Sequence, residues 1–230
     1  MSLYRISKKE PYHQPLTKRC IILDLDETLV HSSEDYRTFK QLRPFNNPAL
    51  LDLRRRMYNF SLIGYDKAPT VWGVTRPYVQ DFLIFCFSYF TKVCVWSAGS
   101  PEYVKKIVEH IFPPGYEPHA VYSRNQCHYA QNGELFKPIH KMTEQEGWED
   151  VLRLDNTLFI DDRPQAFYKN PKNGIVIPVY EPEDEIASFT QDDHCLVDIM
   201  QWLVLPEVLE AEDVRLLDKS RIFTEMNIEE

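Results

Sequence analysis

Two aspartates one residue apart close an apolar run: Cys20-Ile-Ile-Leu23 leads into Asp24-Leu25-Asp26. The run reads as a buried strand. The acids then stand at its C-terminal end, the end at which open α/β sheets bind ligands. Residues i and i+2 of a strand share a face, but beyond the strand the chain can turn them apart. Two carboxylates separated in this way can divide the work of group transfer, one as nucleophile and metal ligand, the other as general acid. A phosphoryl group is the chemistry such a pair is expected to handle.

Two more polar clusters follow apolar runs in the same manner. Lys92–Trp96 ends at Ser97-Ala98-Gly99-Ser100, and Leu158–Ile160 ends at Asp161-Asp162-Arg163-Pro164. Parallel strands would bring Asp24, Asp26 and Thr28, then Ser97, then Asp161 and Asp162 to one sheet edge. Four acids in one place repel one another unless a cation is present. Oxygen-only ligation suits Mg2+, which takes a few carboxylates and keeps several waters. Phosphoryl transfer also needs donors and positive charge around the equatorial oxygens. The Ser97 hydroxyl and the Ala98–Ser100 amides can supply the first. Lys137, after the extended Glu134-Leu-Phe stretch, is the candidate for the second.

The elements that would carry these residues alternate in type. Strands are expected at Ile21–Leu25, Lys92–Trp96, Leu158–Ile160 and Ile175–Tyr180, with extended pieces at Ala120–Ser123 and Leu135–Lys137. Helices are expected from Pro77 to Phe90, from Pro101 to Phe112, and from Cys195 to Leu205, where Pro206 stops the helix. Such alternation predicts a mostly parallel sheet covered on both faces. Residues 32–75 form an insertion: a Pro-Phe-Asn-Asn-Pro turn (44–48), a short helix Ala49–Arg56, and strand-like Met57–Tyr65 and Thr70–Thr75. Asp66–Pro69 would close these two into a hairpin. Residues 1–17 read as an arm, 18–218 as one domain and 219–230 as a tail.

At 230 residues and 43% apolar content, the chain can bury one large core. A net charge of -9 argues against direct nucleic-acid binding. The apolar stretch Phe82–Phe90 is too short to cross a bilayer, so no membrane insertion is expected. Early charges (Arg5, Lys8, Lys9) without an apolar core region give no signal peptide. Five cysteines, an odd number and partly in apolar patterns, fit reduced thiols and a cytoplasmic or nuclear location.

Asp24-Leu-Asp-Glu-Thr-Leu-Val-His31 resembles the DxDx(T/V) signature of haloacid dehalogenase (HAD) phosphatases. The trailing Thr-Leu-Val-His is similar to the version in the FCP/SCP family, the RNA polymerase II C-terminal-domain phosphatases and their relatives. Further matches follow in order: Arg76-Pro77-Tyr-Val-Gln-Asp-Phe82, Val95-Trp-Ser-Ala-Gly99, Arg124-x-x-Cys127, Phe159-Ile-Asp-Asp-Arg-Pro164 and Glu212-Asp-Val-Arg215. The resemblance implies a HAD-like Rossmannoid α/β domain with a mostly parallel central sheet and helices on both faces. A small β-hairpin and helix insertion replaces a large cap.

It also implies a magnesium-dependent phosphoprotein phosphatase. Asp24 would attack phosphorus to form an aspartyl-phosphate. Asp26 would protonate the leaving oxygen and later deprotonate water, with its backbone carbonyl reaching the metal. Thr28 and Ser97 would hydrogen-bond the phosphate and Lys137 would neutralise it. Asp161 and Asp162 would complete the metal site, Asp162 at the direct-ligand position. A phosphorylated protein or peptide is the implied partner, with phosphoserine and phosphothreonine as the default. A phosphotyrosine-directed enzyme, a small-metabolite phosphatase and a non-catalytic scaffold stay open as alternatives. The chain departs from the family pattern in Lys137-Pro-Ile where Asp-Leu is frequent after the lysine, in Asp161-Asp162 for Asp-Asn, and in a longer 31–76 segment. Outside these motifs, His31 is expected to be structural. Arg54–Arg56 is expected to be a solvated helix face or a reader of acidic flanks, Trp72 a packing residue, and Asn170 and Asn173 turn formers.

Overall fold

The computed structural model describes residues 14–42, 48–62, 71–144, 147, 148, 150–182 and 186–223. From the N-terminus run β1 (Cys20–Leu23), β2 (Val30–Ser33), α1 (Tyr36–Leu42), α2 (Leu51–Arg56), β3 (Met57–Phe60) and β4 (Val71–Thr75). Next come α3 (Val79–Tyr89), β5 (Lys92–Trp96), α4 (Pro101–Ile111), β6 (Ala120–Tyr122), β7 (His128–Tyr129) and β8 (Leu135–Phe136). The chain closes with α5 (His140–Thr143), β9 (Thr157–Asp161), β10 (Gly174–Val176), α6 (Ile186–Phe189), α7 (Cys195–Leu203) and α8 (Pro206–Glu210).

β1 and β5 are runs of Ile, Val, Leu, Cys and Trp, as strands covered on both faces must be. β1 lies in the middle of a parallel sheet of order β10-β9-β1-β5-β6. Side-chain alternation splits its residues between two cores. Ile21, Leu23, Val93, Val95, Leu158 and Ile160 face one side, which α3, α4 and α7 cover. Cys20, Ile22, Cys94, Trp96 and Phe159 face the other, against Ile139, Met142, Trp148, Leu152 and Phe167. Helices thus lie on both faces but unequally: the second side holds the four-residue α5 and connecting turns. Register sets Leu23 beside Ile160 on one flank and beside Val95 on the other. The next residue of each strand therefore falls at one common edge, and the Asp24 amide donates to Ile160 O at 3.0 Å.

The insertion holds more structure than a hairpin. β3 and β4 pair antiparallel as expected, but β2 adds a third strand on the other side of β4. Val-His-Ser-Ser was missed because it carries one apolar residue, and its ladder depends on β4, about forty residues later in the chain. α1 has no counterpart in the sequence reading, although Tyr36, Phe39 and Leu42 stand at helical spacing; at seven residues it is a short segment. Trp72 packs between Phe39 and Phe189 and donates Nε1 to Asp35 O. The 44–47 turn, the 63–65 end of the first strand and the 66–69 hairpin turn lie outside the described residues, as do 1–13 and 224–230.

Several elements differ from expectation in their ends or their pairing. Pro77 lies before α3, whose cap Tyr78 takes a left-handed backbone at φ 64°. Arg76 stays extended with its amide on Leu29 O, so the chain must turn sharply before a helix can begin. Pro206 does more than stop α7: it opens α8. The β10 ladder ends at Val176, after which Tyr180 N donates instead to Glu27 O. Leu135–Phe136 pairs with β7 in a separate two-stranded ribbon.

Candidate active site

At the common edge of β1 and β9, three carboxylates converge. Asp24, Asp161 and Asp162 each offer an oxygen within 4.8 Å of the others'. Asp24 and Asp161 are buried and Asp162 is half-buried. Lys137, the first residue after β8, enters from the ribbon side. Its Nζ donates to Asp24 Oδ1 and to Asp161 Oδ2, both at 2.6 Å. Its own amide, bonded to Ala166 O, fixes the approach.

Burial is the largest influence on Asp24 and raises its pKa well above the usual carboxylate range. Asp161 raises it further, and Lys137 opposes both. Asp162 is raised too, by burial first and then by Asp161. For Lys137, burial acts downward, but the attraction of Asp161 and Asp24 outweighs it and the net shift is upward. Three carboxyl groups stand against one ammonium, so the cluster holds more acid than base. The donor set is all oxygen, so the residues fit the hard metal that the resemblance implies, and a bound cation would favour their ionised forms.

The remaining hydrogen bonds divide the carboxylates by role. Asp161 has both oxygens in use, Oδ2 by Lys137 and Oδ1 by the Arg163 amide at 3.0 Å. Asp162 is tied to the first motif: its amide donates to Thr28 Oγ1 at 3.1 Å, and Thr28 Oγ1 lies 3.5 Å from Asp162 Oδ1. Thr28 is therefore fully buried and spent on Asp162. Arg76, itself fully buried, donates to Thr28 O at 3.1 Å and Pro178 O at 2.9 Å and pairs with Asp193 at 2.8 Å.

Asp26 turns away from this cluster. Glu27, the next residue, takes a left-handed backbone at φ 58°, strained for a residue with a side chain, and its amide donates to Val30 O at 2.7 Å, which folds the chain back into β2. Ser97 Oγ donates to Asp26 Oδ2 at 3.1 Å, and the Tyr103 hydroxyl donates to Asp26 Oδ1. The Gly99 amide, expected to point into the site, instead donates to Ser97 Oγ at 2.9 Å. A Cβ on Gly99 would stand 2.6 Å from Tyr103 Cδ1 and 3.2 Å from Ser97 Oγ. Glycine here leaves room for both.

Tyr103 was not singled out from sequence. Ser100 caps α4, accepting from the Tyr103 amide at 3.4 Å, with Pro101 at the first helical position. That Ser-Pro start was the available signal, since it places the helix's first turn against the strand ends. Other residues settle into structural work. His31 pairs with Glu27 at 2.9 Å. Arg56 is not a solvated face: it donates to Thr75 O at 2.7 Å, Tyr180 Oη at 3.1 Å and Phe189 O at 2.8 Å, joining the insertion to the main body. Asn173 is more than a turn former, since its buried amide group donates to Leu154 O and Thr157 O behind β9.

The sequence profile of the NLI interacting factor-like phosphatases matches residues 19–215. The chain belongs to that family. Among family relatives, a probable C-terminal domain small phosphatase of Dictyostelium discoideum is 27% identical over 207 residues, covering 88% of this chain and 55% of that protein. Phosphatase PSR1 of Saccharomyces cerevisiae is 28% identical over 204 residues, covering 87% and 39%. Fcp1, described as an essential RNA polymerase II CTD phosphatase, shares the fold at a TM-score of 0.56 and 20% identity, covering 81% of this chain and 50% of its own. The chain thus spans between 39% and 55% of the length of these proteins. No helix among the described residues is long and apolar enough to cross a membrane.

Proposed function

We propose that this chain is a magnesium-dependent phosphoprotein phosphatase working through an aspartyl-phosphate on Asp24. The observation that carries the reading is the division of the first motif: Asp24 sits in the carboxylate–lysine cluster, while Asp26 is turned out and held by hydroxyls. In the first step an Asp24 oxygen bonds to phosphorus, the bond to the substrate oxygen breaks, and that oxygen takes a proton from Asp26. In the second, Asp26 takes a proton from water as the water oxygen bonds to phosphorus. The bond to Asp24 then breaks, releasing phosphate and restoring the carboxylate.

Asp24 and Asp162 would hold the magnesium ion, with the Asp26 carbonyl, and Asp161 would support them from its buried position. When bound, the ion offsets charge on the phosphoryl oxygens. Lys137 neutralises the same charge from the protein side, and Ser97, once released from Asp26, donates to a phosphoryl oxygen. Thr28, occupied by Asp162, would contribute through the metal side of the site.

Among the described residues no domain-sized insertion stands over the strand ends, and only α5 and turns separate β8 from β9. An open site of this kind supports a peptide substrate carrying phosphoserine or phosphothreonine. The test is phosphate release from a panel of phosphoserine, phosphothreonine and phosphotyrosine peptides, with magnesium or with EDTA. The reading expects magnesium-dependent release from the first two that Asp24→Asn abolishes. Release from phosphotyrosine alone would reassign the substrate class. Release from sugar or nucleotide phosphates only would replace protein by metabolite, and none at all would leave a scaffold.

A further inference from the structure

Asp26 is reached by a run of hydroxyls that starts in the insertion. Tyr58 Oη on β3 lies 2.6 Å from Ser32 Oγ on β2, Ser32 Oγ hydrogen-bonds Tyr103 Oη on α4, and Tyr103 donates to Asp26. Each hydroxyl has one hydrogen to give: with Tyr103 donating to Asp26, Ser32 is free to donate to Tyr103, and the Tyr58 hydroxyl has Ser32 Oγ and, at 3.4 Å, His31 O as acceptors. The rings are packed as well as bonded. Tyr58 stacks on Phe60 at 6.0 Å between centroids, Phe60 meets Tyr103 at 6.1 Å, and Tyr58 meets His110 of α4 at 4.9 Å. Both tyrosines lie over glycines: a Cβ on Gly73 would collide with the Tyr58 ring and His31 O, and one on Gly99 with the Tyr103 ring.

Resting on the phosphatase reading above, we propose that Tyr103 is a positioning residue for Asp26, and that Ser32 and Tyr58 tie that position to the β2–β4–β3 insertion. A carboxylate side chain has two rotatable bonds, and Ser97 leaves its Asp26 oxygen when it turns to the phosphoryl group. Tyr103, on the opposite oxygen, is the donor that stays and holds the side chain's direction. The insertion then acts on catalysis without covering the site, because it aims the group that must meet the leaving oxygen. Substrate contact by Tyr103 is not required for this role.

The test is a comparison of leaving groups. The ratio kcat/KM includes only steps up to departure of the leaving group, so it reports the protonation by Asp26 and not the later attack of water. A serine oxygen needs that proton, whereas p-nitrophenolate departs without it. Tyr103→Phe keeps the ring and removes the donor. It is expected to lower kcat/KM about tenfold for a phosphoserine peptide and about twofold for p-nitrophenyl phosphate. Ser32→Ala, which leaves Tyr103 in place, should shift the two substrates in the same sense by about threefold and carries the test if Tyr103→Phe melts early. Asp26→Asn should show the same bias more strongly. Equal losses on both substrates in Tyr103→Phe and Ser32→Ala, or no loss, would overturn the assignment and return Tyr103 to packing. If wild type fails to turn over either substrate with magnesium, the phosphatase reading falls and this proposal with it.

Discussion

The two aspartates of the first motif are held by different kinds of matter. Asp24 lies in the sheet's interior, fixed by an ion pair to Lys137 and by its amide on the neighbouring strand. Asp26, two residues on, is half-exposed and held by hydroxyls from α4 and β5's end, with the insertion behind them. The first arrangement costs desolvation and is stiff: moving one partner leaves buried charge uncompensated. The second is made of neutral donors whose loss costs much less. On the proposed assignment, a site built this way keeps Asp24 as nucleophile unchanged while the insertion tunes Asp26 as acid and base.

The largest break in this contrast is at the proposed nucleophile. Asp24→Asn should reduce phosphopeptide turnover below detection while the melting temperature stays within a few degrees, since asparagine keeps the shape and still accepts from Lys137. Initial rates and thermal melts on the same preparations check both halves.

Lys137→Met removes the ammonium from between Asp24 and Asp161. It should destabilise the fold by about 3–5 kcal/mol in EDTA. Magnesium should raise the melting temperature of both proteins, and more in the variant, because there the ammonium no longer offsets the Asp24 and Asp161 carboxylates. Denaturant unfolding with and without the metal measures this.

Thr28→Val is a smaller change of the same region. It leaves the Asp162 amide without its acceptor, at about 1–3 kcal/mol. The magnesium-induced rise in melting temperature should shrink, by loosening of Asp162 alone.

The weakest effect lies away from the site. Burial, helped by Lys92, lowers the His119 pKa from about 6.5 to about 4, and its Nδ1 accepts from the Val93 amide. The unfolded chain takes up a proton between these values that the folded chain refuses. This group's contribution is therefore complete above about pH 6.5 and is lost as pH falls toward about 4. His119→Asn, whose Oδ1 can take the place of Nδ1, should flatten that part of the stability profile while leaving the Asp24 and Asp26 variants' behaviour unchanged.

What could be read from the chain follows how local its cause is. β1, β5 and β9 were legible because burial on both faces demands unbroken apolar runs. Their polar ends followed once a parallel sheet was inferred, and the parallel sheet and family membership stand. β2 was not legible, since Val30–Ser33 is a strand only because β4 returns beside it. Arg56 looked like one of three solvated arginines, and nothing nearby in sequence announces its carbonyl partners at Thr75 and Phe189. Tyr103 was hidden in the same way: its hydroxyl meets a carboxylate seventy-seven positions earlier. The residues on the page from sequence carry charge or cap a strand; those that aim them are reached only through the fold.

The most direct measurement is to trap the intermediate. The Asp26→Asn protein, incubated with p-nitrophenyl phosphate (whose leaving group needs no proton) and magnesium and quenched in acid, should carry one phosphoryl group, and peptide mapping by mass spectrometry should place it on Asp24. Phosphoryl transfer to any other residue, or turnover in wild type with no trapped species in Asp26→Asn and full activity retained there, would contradict the assignment of the two aspartates.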